Sequence, residues 1–473
     1  MSSLKIIRRA AAALLLMAFL VSCVTYNQQA SGFYSSLSGG DFQKATRALD
    51  NNKLLKKQRN RLLYLLEKGK VEHLLQNYEA SNRYLNEADG LMEAARTSAT
   101  DILAGTLLNP MAQTYQGEPF EKYMVHYYKA MNYLQLGLTD EALVEARRIS
   151  LRTFTQEEKA GKNHYGEDAF SLMLQGMIYE KAGDLNNSFI AYRNAADVYL
   201  EHGNAYYGTA MPQQLKKDVL RTAYQNGFSD ELQRYEGMFG MKFDEREGSR
   251  KGELILFWES GLAPVKREQN IFFSLVKDGG GNFFFVDGAG AYSIPFDFST
   301  GYNKDNIRLS ALRSFRAALP VYEEQPLWYS RATVRSGSDS VWLEPAQNIN
   351  DLALATLRER RLKDLSKTLT RIAIKKLAEE AARPSENEKN KDKKNRQEAM
   401  ALGIQLFSMA SEKADTRNWQ SLPHTIYYTR IPLNEGTNTI GLDINSGSGR
   451  TKTVTLDIPN SGGLVFRSIC TVH

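Results

Sequence analysis

Residues 172–196, LMLQGMIYEKAGDLNNSFIAYRNAA, decide the fold of the first half of the chain. Small residues stand where two helices would touch, and large residues stand beside them: Gly176, Ser188, Ala195, Tyr179 and Tyr192. Gly183-Asp184 supplies the turn between the helices. Apolar residues spaced by three and four positions predict two antiparallel helices in close contact.

The helix pair resembles the tetratricopeptide (TPR) repeat. The same pair of small residues, one on each helix, recurs at Ala130 and Ala142 and, more loosely, at Gly69 and Ser81. In each copy the first small residue precedes the second by 12 positions. Because the copies agree in this spacing, they predict a series of stacked helix pairs.

We therefore predict a TPR-like helical domain over residues 39–243. Segments 97–119 and 153–165 interrupt the stacking, and a fourth pair is predicted at 215–224 and 231–239. Repeats of this kind form a curved surface that usually receives a peptide or a partner protein.

The composition excludes global disorder, because 42% of the 473 residues are hydrophobic and 24% are charged. Cys23 and Cys470 are the two cysteines, and they cannot form a disulfide framework or a cysteine zinc site.

The net charge of +6 includes Lys5, Arg8 and Arg9 near the N-terminus. Residues 383–396 carry six basic and three acidic side chains, so the rest of the chain is close to neutral and predicts no nucleic-acid partner.

The N-terminus has the layout of a secretory signal. Basic residues precede an apolar run from Ala10 to Val21, which is too short to span a bilayer. Leu20-Val21-Ser22-Cys23 resembles the lipobox of bacterial lipoproteins. The resemblance implies removal of a signal peptide, residues 1–22, and acylation of Cys23 on its sulfur and its new amino group. Several acyl chains hold a soluble body to a membrane stably.

The residues after Cys23 predict where the anchor holds the protein. Val24 occupies the position where an aspartate favours retention in the inner membrane of many Gram-negative bacteria. We therefore expect the periplasmic face of the outer membrane. Residues 24–38 are small and polar, and 23–38 are predicted to be a lipidated tether.

The pattern becomes extended after residue 250. Short apolar runs at 254–258, 271–276 and 282–286, bounded by Gly, Asp and Pro, predict strands. Further strands are predicted over 327–335, 341–344, 425–431, 437–444, 451–458 and 464–472. The even spacing favours an antiparallel β-sandwich within a C-terminal β-rich domain, residues 250–473. The fold class is thus α+β multidomain, with an all-α TPR-like solenoid followed by a sandwich-like domain.

A helical insertion, residues 349–412, interrupts the strands. It comprises a long amphipathic helix at 349–382 and a second helix at 397–412, which could form a hairpin over one face of the sandwich. Residues 383–396 between them have almost no apolar side chain and predict a charged, disordered loop.

Candidate interaction residues are aromatic or basic. Tyr127 belongs to a dense set of aromatics in the helical domain, and Tyr206-Tyr207 stand in a loop before Pro212. Lys266-Arg267 follow a loop between strands and could bind a partner's carboxylate. We interpret most of the tyrosines as packing between helices, with Tyr206 and Tyr207 as the surface pair.

A possible polar cluster surrounds Trp419 and comprises Asp415, Arg417 and His424. A buried ion pair joining a helix to a strand explains Asp415 and Arg417 as well as chemistry does. The motifs otherwise predict no catalytic residue, metal or cofactor. None of the six histidines is spaced i,i+4 from another, and Gly288-Ala289-Gly290 is not followed by a helix that could bind a nucleotide phosphate.

Several stretches in both domains resemble an uncharacterised family of TPR-containing bacterial lipoproteins. They are YQGE at 115–118, MVHYYKAMNYLQLGLTDEALVEARR at 124–148, GLAPVK at 261–266, ALPVY at 318–322 and ADTRNWQSLP at 414–423. The resemblance implies an envelope protein of two parts and no activity, so it transfers no catalytic residue.

The sequence therefore favours a non-enzymatic, membrane-anchored lipoprotein that acts as a protein-protein interaction scaffold in envelope or peptidoglycan assembly. Two alternatives stay open. The β-rich domain could be a glycan- or lipid-binding module that uses exposed Trp328 and Trp342. The chain could also be an enzyme acting on envelope polymers, with chemistry around Asp415 to His424.

Overall fold

The computed structural model describes residues 26–94, 110–148, 168–245, 252–296, 315–337, 339–384, 389–447 and 449–472. Cys23 and the predicted signal peptide lie outside these ranges. Within them, no helix is long and apolar enough to cross a membrane.

The first half of the chain is helical, as predicted. Its helices are α1 (Tyr26–Ser38), α2 (Phe42–Asp50), α3 (Arg61–Leu74), α4 (Tyr78–Ala94), α5 (Pro119–Gln135), α6 (139–148), α7 (Ala169–Lys181), α8 (Leu185–Glu201), α9 (Gln213–Gln225) and α10 (Ser229–Phe239). A short hairpin, β1 (Ala205–Tyr206) and β2 (Thr209–Ala210), joins α8 to α9. Aspartates cap three of these helices: Asp41 accepts from Lys44 N, Asp168 from Ser171 N and Asp184 from Asn187 N.

The TPR-like pairing is confirmed by contacts between the paired helices. Ser81 Oγ donates to the Gly69 carbonyl at 2.7 Å, and Ser188 Oγ donates to the Gly176 carbonyl at 2.9 Å. Both bonds join residues 12 positions apart. A Cβ atom at Gly176 would lie 2.7 Å from the Tyr192 ring, so the helices approach as closely as glycine allows.

The predicted tether is wrong for the residues that the structure describes. Tyr26–Ser38 form helix α1, which buries Tyr26, Ala30, Phe33 and Leu37 in the helical core. These four residues recur at spacings of four, three and four, which gives an apolar stripe on an otherwise polar helix. Helix α1 begins three positions after Cys23 in the sequence.

The second half contains the strands β3 (Gly252–Ser260), β4 (Val265–Lys277), β5 (Phe283–Asp287), β6 (Ser293–Phe296), β7 (Phe315–Glu323), β8 (Tyr329–Ser336), β9 (Asp339–Trp342), β10 (Glu344–Asn348), β11 (Thr425–Pro432), β12 (Gly436–Ser446), β13 (Thr451–Asn460) and β14 (Gly463–Thr471). Within the described residues they form three four-stranded sheets. We name these the central sheet (β10-β11-β3-β14), the outer sheet (β13-β12-β8-β9) and the side sheet (β6-β5-β4-β7).

The central and outer sheets form the predicted sandwich. Leu254, Leu256 and Trp258 of β3 pack against Val334 of β8 and Leu442 of β12. The sandwich is not purely antiparallel, because β14 pairs with β3 in parallel. A parallel pair requires a long crossover, which the rest of the domain provides.

The helical insertion packs mainly on the side sheet, and only its first residues, Ile349 to Ala353, join the core between the solenoid and the central sheet. Helix α11 (Ile349–Ala382) matches the predicted bounds, and its Leu365 and Leu369 pack against Phe273 and Phe315. Helix α12 (Lys391–Ser411) begins earlier than predicted, so residues 391–396 are helical rather than disordered. The Asn390 side chain accepts from the Asp392 and Lys393 amides and caps this helix.

Strand β3 is buried along its whole length, because the helical domain covers the face opposite the sandwich core. On this face lie Glu253, Ile255, Phe257 and Glu259, and both apolar members belong to the helical core cluster. The two predicted domains are thus joined through a continuous core.

Replacing Gly176 with alanine tests the close helix approach. We expect Gly176→Ala to lower the free energy of unfolding by roughly 1–3 kcal/mol, because the added methyl overpacks the contact with Tyr192. Gly237→Ala is the matched control, since this helical glycine has open space around it and alanine is the better helix former. Urea denaturation measures both changes, and an equal effect of the two would contradict the proposed contact.

Candidate functional site

The repeat surface of the helical domain is where a partner was expected, and the protein's own central sheet packs against part of this surface. The first helix of each pair, α3, α5, α7 and α9, supplies side chains that contact β3, β11 or β14. Gln135 Nε2 donates to the Phe466 carbonyl at 3.0 Å, and Lys181 Nζ donates to the Leu464 carbonyl at 2.9 Å. The expected partner surface is therefore an interface within the chain.

One end of β3 is held by a buried charge pair. Lys70 of α3 binds Glu259 of β3, and both side chains are 1% exposed. Tyr127 and Tyr128 hydroxyls donate to the same carboxylate at 3.2 and 3.0 Å. Although burial raises the pKa of Glu259, the Lys70 charge lowers it below its ordinary value. Tyr127, predicted as a partner-binding residue, is instead buried in this interface.

The other end of β3 is held by a larger ion cluster. Arg430 of β11 donates to Glu253 at 2.8 Å, to Glu180 of α7 at 2.7 Å and to Asp218 of α9 at 3.3 Å. Arg221 also binds Asp218, at 2.8 Å. Although burial raises the pKa of Glu180, the two arginines lower it to about 2. Each carboxylate of this cluster therefore has a cationic partner, which offsets the cost of burying its charge.

The aromatic centre of the interface lies between these two ends. The Phe257 ring of β3 lies 6.3 Å from both the Tyr127 ring and the Phe170 ring. Apolar contact in the middle with ion pairs at both ends fixes the position of the solenoid along the strand.

Residues 414–423 contain three members of the predicted polar cluster, Asp415, Arg417 and Trp419. This segment packs against the helices of the solenoid. The Trp419 amide donates to Glu121 at 2.7 Å, and the Gln420 amide donates to Glu67 at 3.1 Å. Both acceptors are buried helix side chains. The backbone of this segment is therefore part of the interface between the solenoid and the β-rich domain.

Arg417 joins the same segment to the start of the solenoid. Its guanidinium binds Asp415, the Asn60 side chain at 2.9 Å and the Gln113 carbonyl at 3.0 Å. The residue is 1% exposed. This agrees with the structural interpretation of Asp415 and Arg417, because every contact joins parts of the protein.

The four members of the predicted cluster do not form one site. Trp419 is buried, and its indole N–H donates to Ser421. His424 lies before β11, with Nδ1 at 2.8 Å from Thr425 Oγ1. Among the described residues it shares no hydrogen bond with Asp415 or Arg417.

Lys266 is also buried and binds a carboxylate of its own chain. Its ammonium pairs with Glu118, which Arg360 of α11 binds from the other side at 2.6 Å. The expectation that Lys266 binds a partner's carboxylate is wrong, because the residue is 2% exposed. Arg267 remains on the surface and pairs with Glu323 at 2.7 Å.

Tyr206 and Tyr207 lie in the β1–β2 hairpin and are half-buried. Their ring centroids are 4.5 Å apart, and both pack against the helical core. A Cβ atom at the adjacent Gly208 would collide with Asp351 of α11. The hairpin therefore occupies a confined position between the solenoid and the insertion, and part of each ring faces solvent.

Sequence reasoning missed one cluster with metal-ligating atoms. Asp89, His126 and Glu145 place ligand atoms within 4.8 Å of one another. Lys129 Nζ lies 3.1 Å from Asp89 and 2.8 Å from Glu145. Because an ammonium already occupies the space between the carboxylates, we assign the cluster to helix packing. Lys129 and Glu145 lie on different helices, so their spacing in the sequence did not indicate that they are in contact.

The side sheet has an apolar outer face, which sequence reasoning also missed. Alternate residues of β4 point away from the insertion, and of these Phe272 is 61% exposed and Val276 is 44% exposed. Phe284 and Val286 of β5 are half-buried on the same face, opposite Val276 and Ser274. Contiguous exposed apolar residues of this kind mark interaction sites.

The sequence matches no protein-family model and no curated protein. Among solved structures, it is similar to the apo form of RapI, with 10% identity and a TM-score of 0.32 over 51% of this chain and 58% of that chain. It is also similar to a putative kinesin light chain from Podosopora anserina with nearly identical TPR-like repeats, with 12% identity and a TM-score of 0.31 over 44% of this chain and 90% of that chain. This chain thus spans little more than half the length of RapI. The Gly–Ser contacts within the helix pairs define the protein as a TPR-like solenoid joined to a β-rich domain.

The carboxylates that bind residues 414–423 predict a pH-dependent stability. Burial raises the pKa of Glu67 to about 8, and burial together with Glu118 raises that of Glu121 to about 7. The folded state therefore holds protons that the unfolded chain releases above pH ~4.5, and stability falls as pH rises towards 8. One such proton changes the free energy of unfolding by about 1.4 kcal/mol per pH unit.

We expect Glu67→Gln to remove part of this pH dependence. The free energy of unfolding of the natural protein minus that of the variant should fall by about 1.4 kcal/mol per unit between pH 5.5 and 7.5. Urea denaturation across this range measures the slope, with exposed Glu398→Gln as control. A difference that stays constant with pH would show that Glu67 is ionised in the folded protein.

Proposed function

We propose that this chain is a non-enzymatic lipoprotein of the bacterial cell envelope that holds a partner protein at the membrane surface. The lipobox-like Leu20-Val21-Ser22-Cys23 supports the anchor, and the periplasmic face of the outer membrane is the proposed location. The partner site proposed here is the apolar outer face of the side sheet, because Phe272 and Val276 are exposed there while the central sheet packs against the helical domain.

The arrangement of buried charges supports a structural role for the residues first considered for chemistry. Asp415, Arg417 and Lys266 each bind groups within the chain, across the interface between the solenoid and the β-rich domain. Such networks fix the relative position of two parts of a protein. A rigid body of two joined parts suits a scaffold that presents a surface to a partner.

Glycan binding is the second candidate function, and one observation favours it. Trp328 is 54% exposed and Trp342 is 58% exposed. Trp342 lies on the edge strand of the outer sheet, opposite Thr333, and Thr439, Thr453 and Thr455 point away from the sandwich core on the same sheet. An exposed tryptophan beside hydroxyl groups offers stacking and hydrogen bonds to a sugar ring.

Acylation of Cys23 is tested by incorporation of labelled palmitate in cells. We expect the natural chain and Cys470→Ala to be labelled, and Cys23→Ala to lose the label, because the acyl chains are attached to Cys23. Cys470 is the matched control as the second cysteine of the chain. Labelled Cys23→Ala would contradict the anchor.

The partner site is tested by a photo-crosslinking amino acid in place of Ser274, which lies between Phe272 and Val276 on β4. We expect a protein adduct of one defined size in living cells. Replacing Phe272 and Val276 with serine should reduce the adduct at least tenfold, and because both side chains are exposed it should leave the melting temperature unchanged.

The control position is Thr455, on the outward face of the outer sheet. An adduct at 274 that survives the two serine substitutions would contradict the proposed partner site. A glycan adduct from position 455, sensitive to a peptidoglycan hydrolase, would favour the second candidate instead.

A further inference from the structure

The turn after helix α2 carries a concentration of positive charge. Lys53, Lys56 and Lys57 are exposed on this turn, and Lys44 and Arg47 are exposed on α2 itself. Among the residues that the structure describes, none of these five pairs with a carboxylate. Two acids lie on this segment: Asp50 is bound by Lys68 and by the Tyr64 hydroxyl, and Asp41 caps α2 by accepting from the Lys44 amide. The patch is therefore free to attract an anionic surface. We call these five residues the basic turn.

The basic turn lies against helix α1. Asn52 Nδ2 donates to the Gln29 carbonyl at 3.1 Å. A groove of about 340 Å³ separates the two elements, with Gln29 and Phe33 on one side and Asn52 and Lys53 on the other. The groove is open to solvent, and both polar side chains (Gln29, Asn52 and Lys53) and apolar side chains (Phe33, Ala48 and Leu54) line it.

Helix α1 also fixes where Cys23 must be. Tyr26 begins the helix three residues after Cys23, so their Cα atoms are at most about 11 Å apart. Tyr26 is 2% exposed, and Asn27 binds the Lys266 carbonyl at 2.9 Å and the Gln420 side chain at 2.8 Å. Because the helix is held firmly, a lipid on Cys23 cannot be far from the folded body. Gln29, which contacts the basic turn, is one helical turn further on.

We propose that the basic turn binds the anionic phospholipid headgroups of the membrane that holds the Cys23 lipid. The folded body would then lie directly on the bilayer instead of being raised above it. This inference rests on the proposed acylation of Cys23, since the anchor raises the local concentration of headgroups at the turn. Each lysine near an anionic membrane surface contributes roughly a fivefold change in binding. Lys53, Lys56 and Lys57 together therefore contribute roughly a hundredfold.

The test uses the full-length protein, extracted from bacterial membranes in detergent and reconstituted into nanodiscs. One set of discs contains phosphatidylethanolamine alone, and the other also contains phosphatidylglycerol. Gln58→Cys places a thiol beside the basic turn without changing its charge, and Thr451→Cys places one on the exposed end of β13. A water-soluble maleimide reports exposure of each thiol. Burial raises the pKa of the natural Cys470 thiol to about 12, which keeps its background reaction low.

We expect Gln58→Cys to be labelled at least tenfold more slowly in the discs with phosphatidylglycerol, and Thr451→Cys to be labelled equally in both. Replacing Lys53, Lys56 and Lys57 with serine should restore rapid labelling at position 58. The same replacement of exposed Lys391, Lys393 and Lys394, three lysines of α12, should not restore it.

Equal labelling of Gln58→Cys in the two kinds of disc would overturn the proposal, as would restoration of labelling by the α12 replacements. Copurification with the discs is scored separately. A protein that does not remain with either disc would overturn the Cys23 anchor together with the docking. A protein that remains with the discs but shows position 58 unprotected would overturn the docking alone.

Discussion

Burial of strand β3 on both faces is the constraint on which the rest of the structure depends. Its sequence, GELILFWES, supplies apolar residues to the sandwich core and an alternating Glu253-Ile255-Phe257-Glu259 face to the solenoid. Two carboxylates at the ends of a buried strand are unfavourable unless each meets a cation. Lys70 binds Glu259, and Arg430 binds Glu253. The solenoid can therefore dock on the sheet in one position.

The same requirement explains why the protein's own strands cover the side of the solenoid that the first helix of each pair forms. The groove that TPR-like repeats usually offer to a peptide is filled here by the chain's own β3, β11 and β14, and by the backbone of residues 414–423. We propose the outer face of the side sheet and the basic turn beside helix α1 as interaction surfaces instead. The shared core and the buried ion pairs join the solenoid to the sandwich.

Particular residues show how far sequence reasoning reached. The helix pairs followed from Gly176 and Ser188, because their contact depends on residues 12 positions apart. Most of the strands and the long insertion helix followed from periodicity in the same way, but strands β6, β7 and β10 were not predicted. Tyr127 and Lys266 were predicted to bind a partner, but both are buried. The neighbouring sequence of a tyrosine or lysine does not show whether its side chain is exposed or buried. Their partners, Glu259 and Glu118, lie 132 and 148 positions away. Helix α1 was predicted to be a polar tether. One apolar residue per helical turn is a weak indication of a helix in an otherwise polar segment.

The sequence by itself determined the local elements of this protein: the TPR-like helix pairs, the strands that follow them and a lipobox-like cysteine at the start. These are properties of short-range spacing, which sets which side of each helix or strand is apolar. Only the tertiary structure decided which apolar sides meet, because that choice depends on neutralising buried charges between residues far apart in the chain. Lys70 and Glu259 are 189 positions apart, and nothing in either local pattern specifies the other. Their contact, once formed, turns the expected partner groove into the protein's own core.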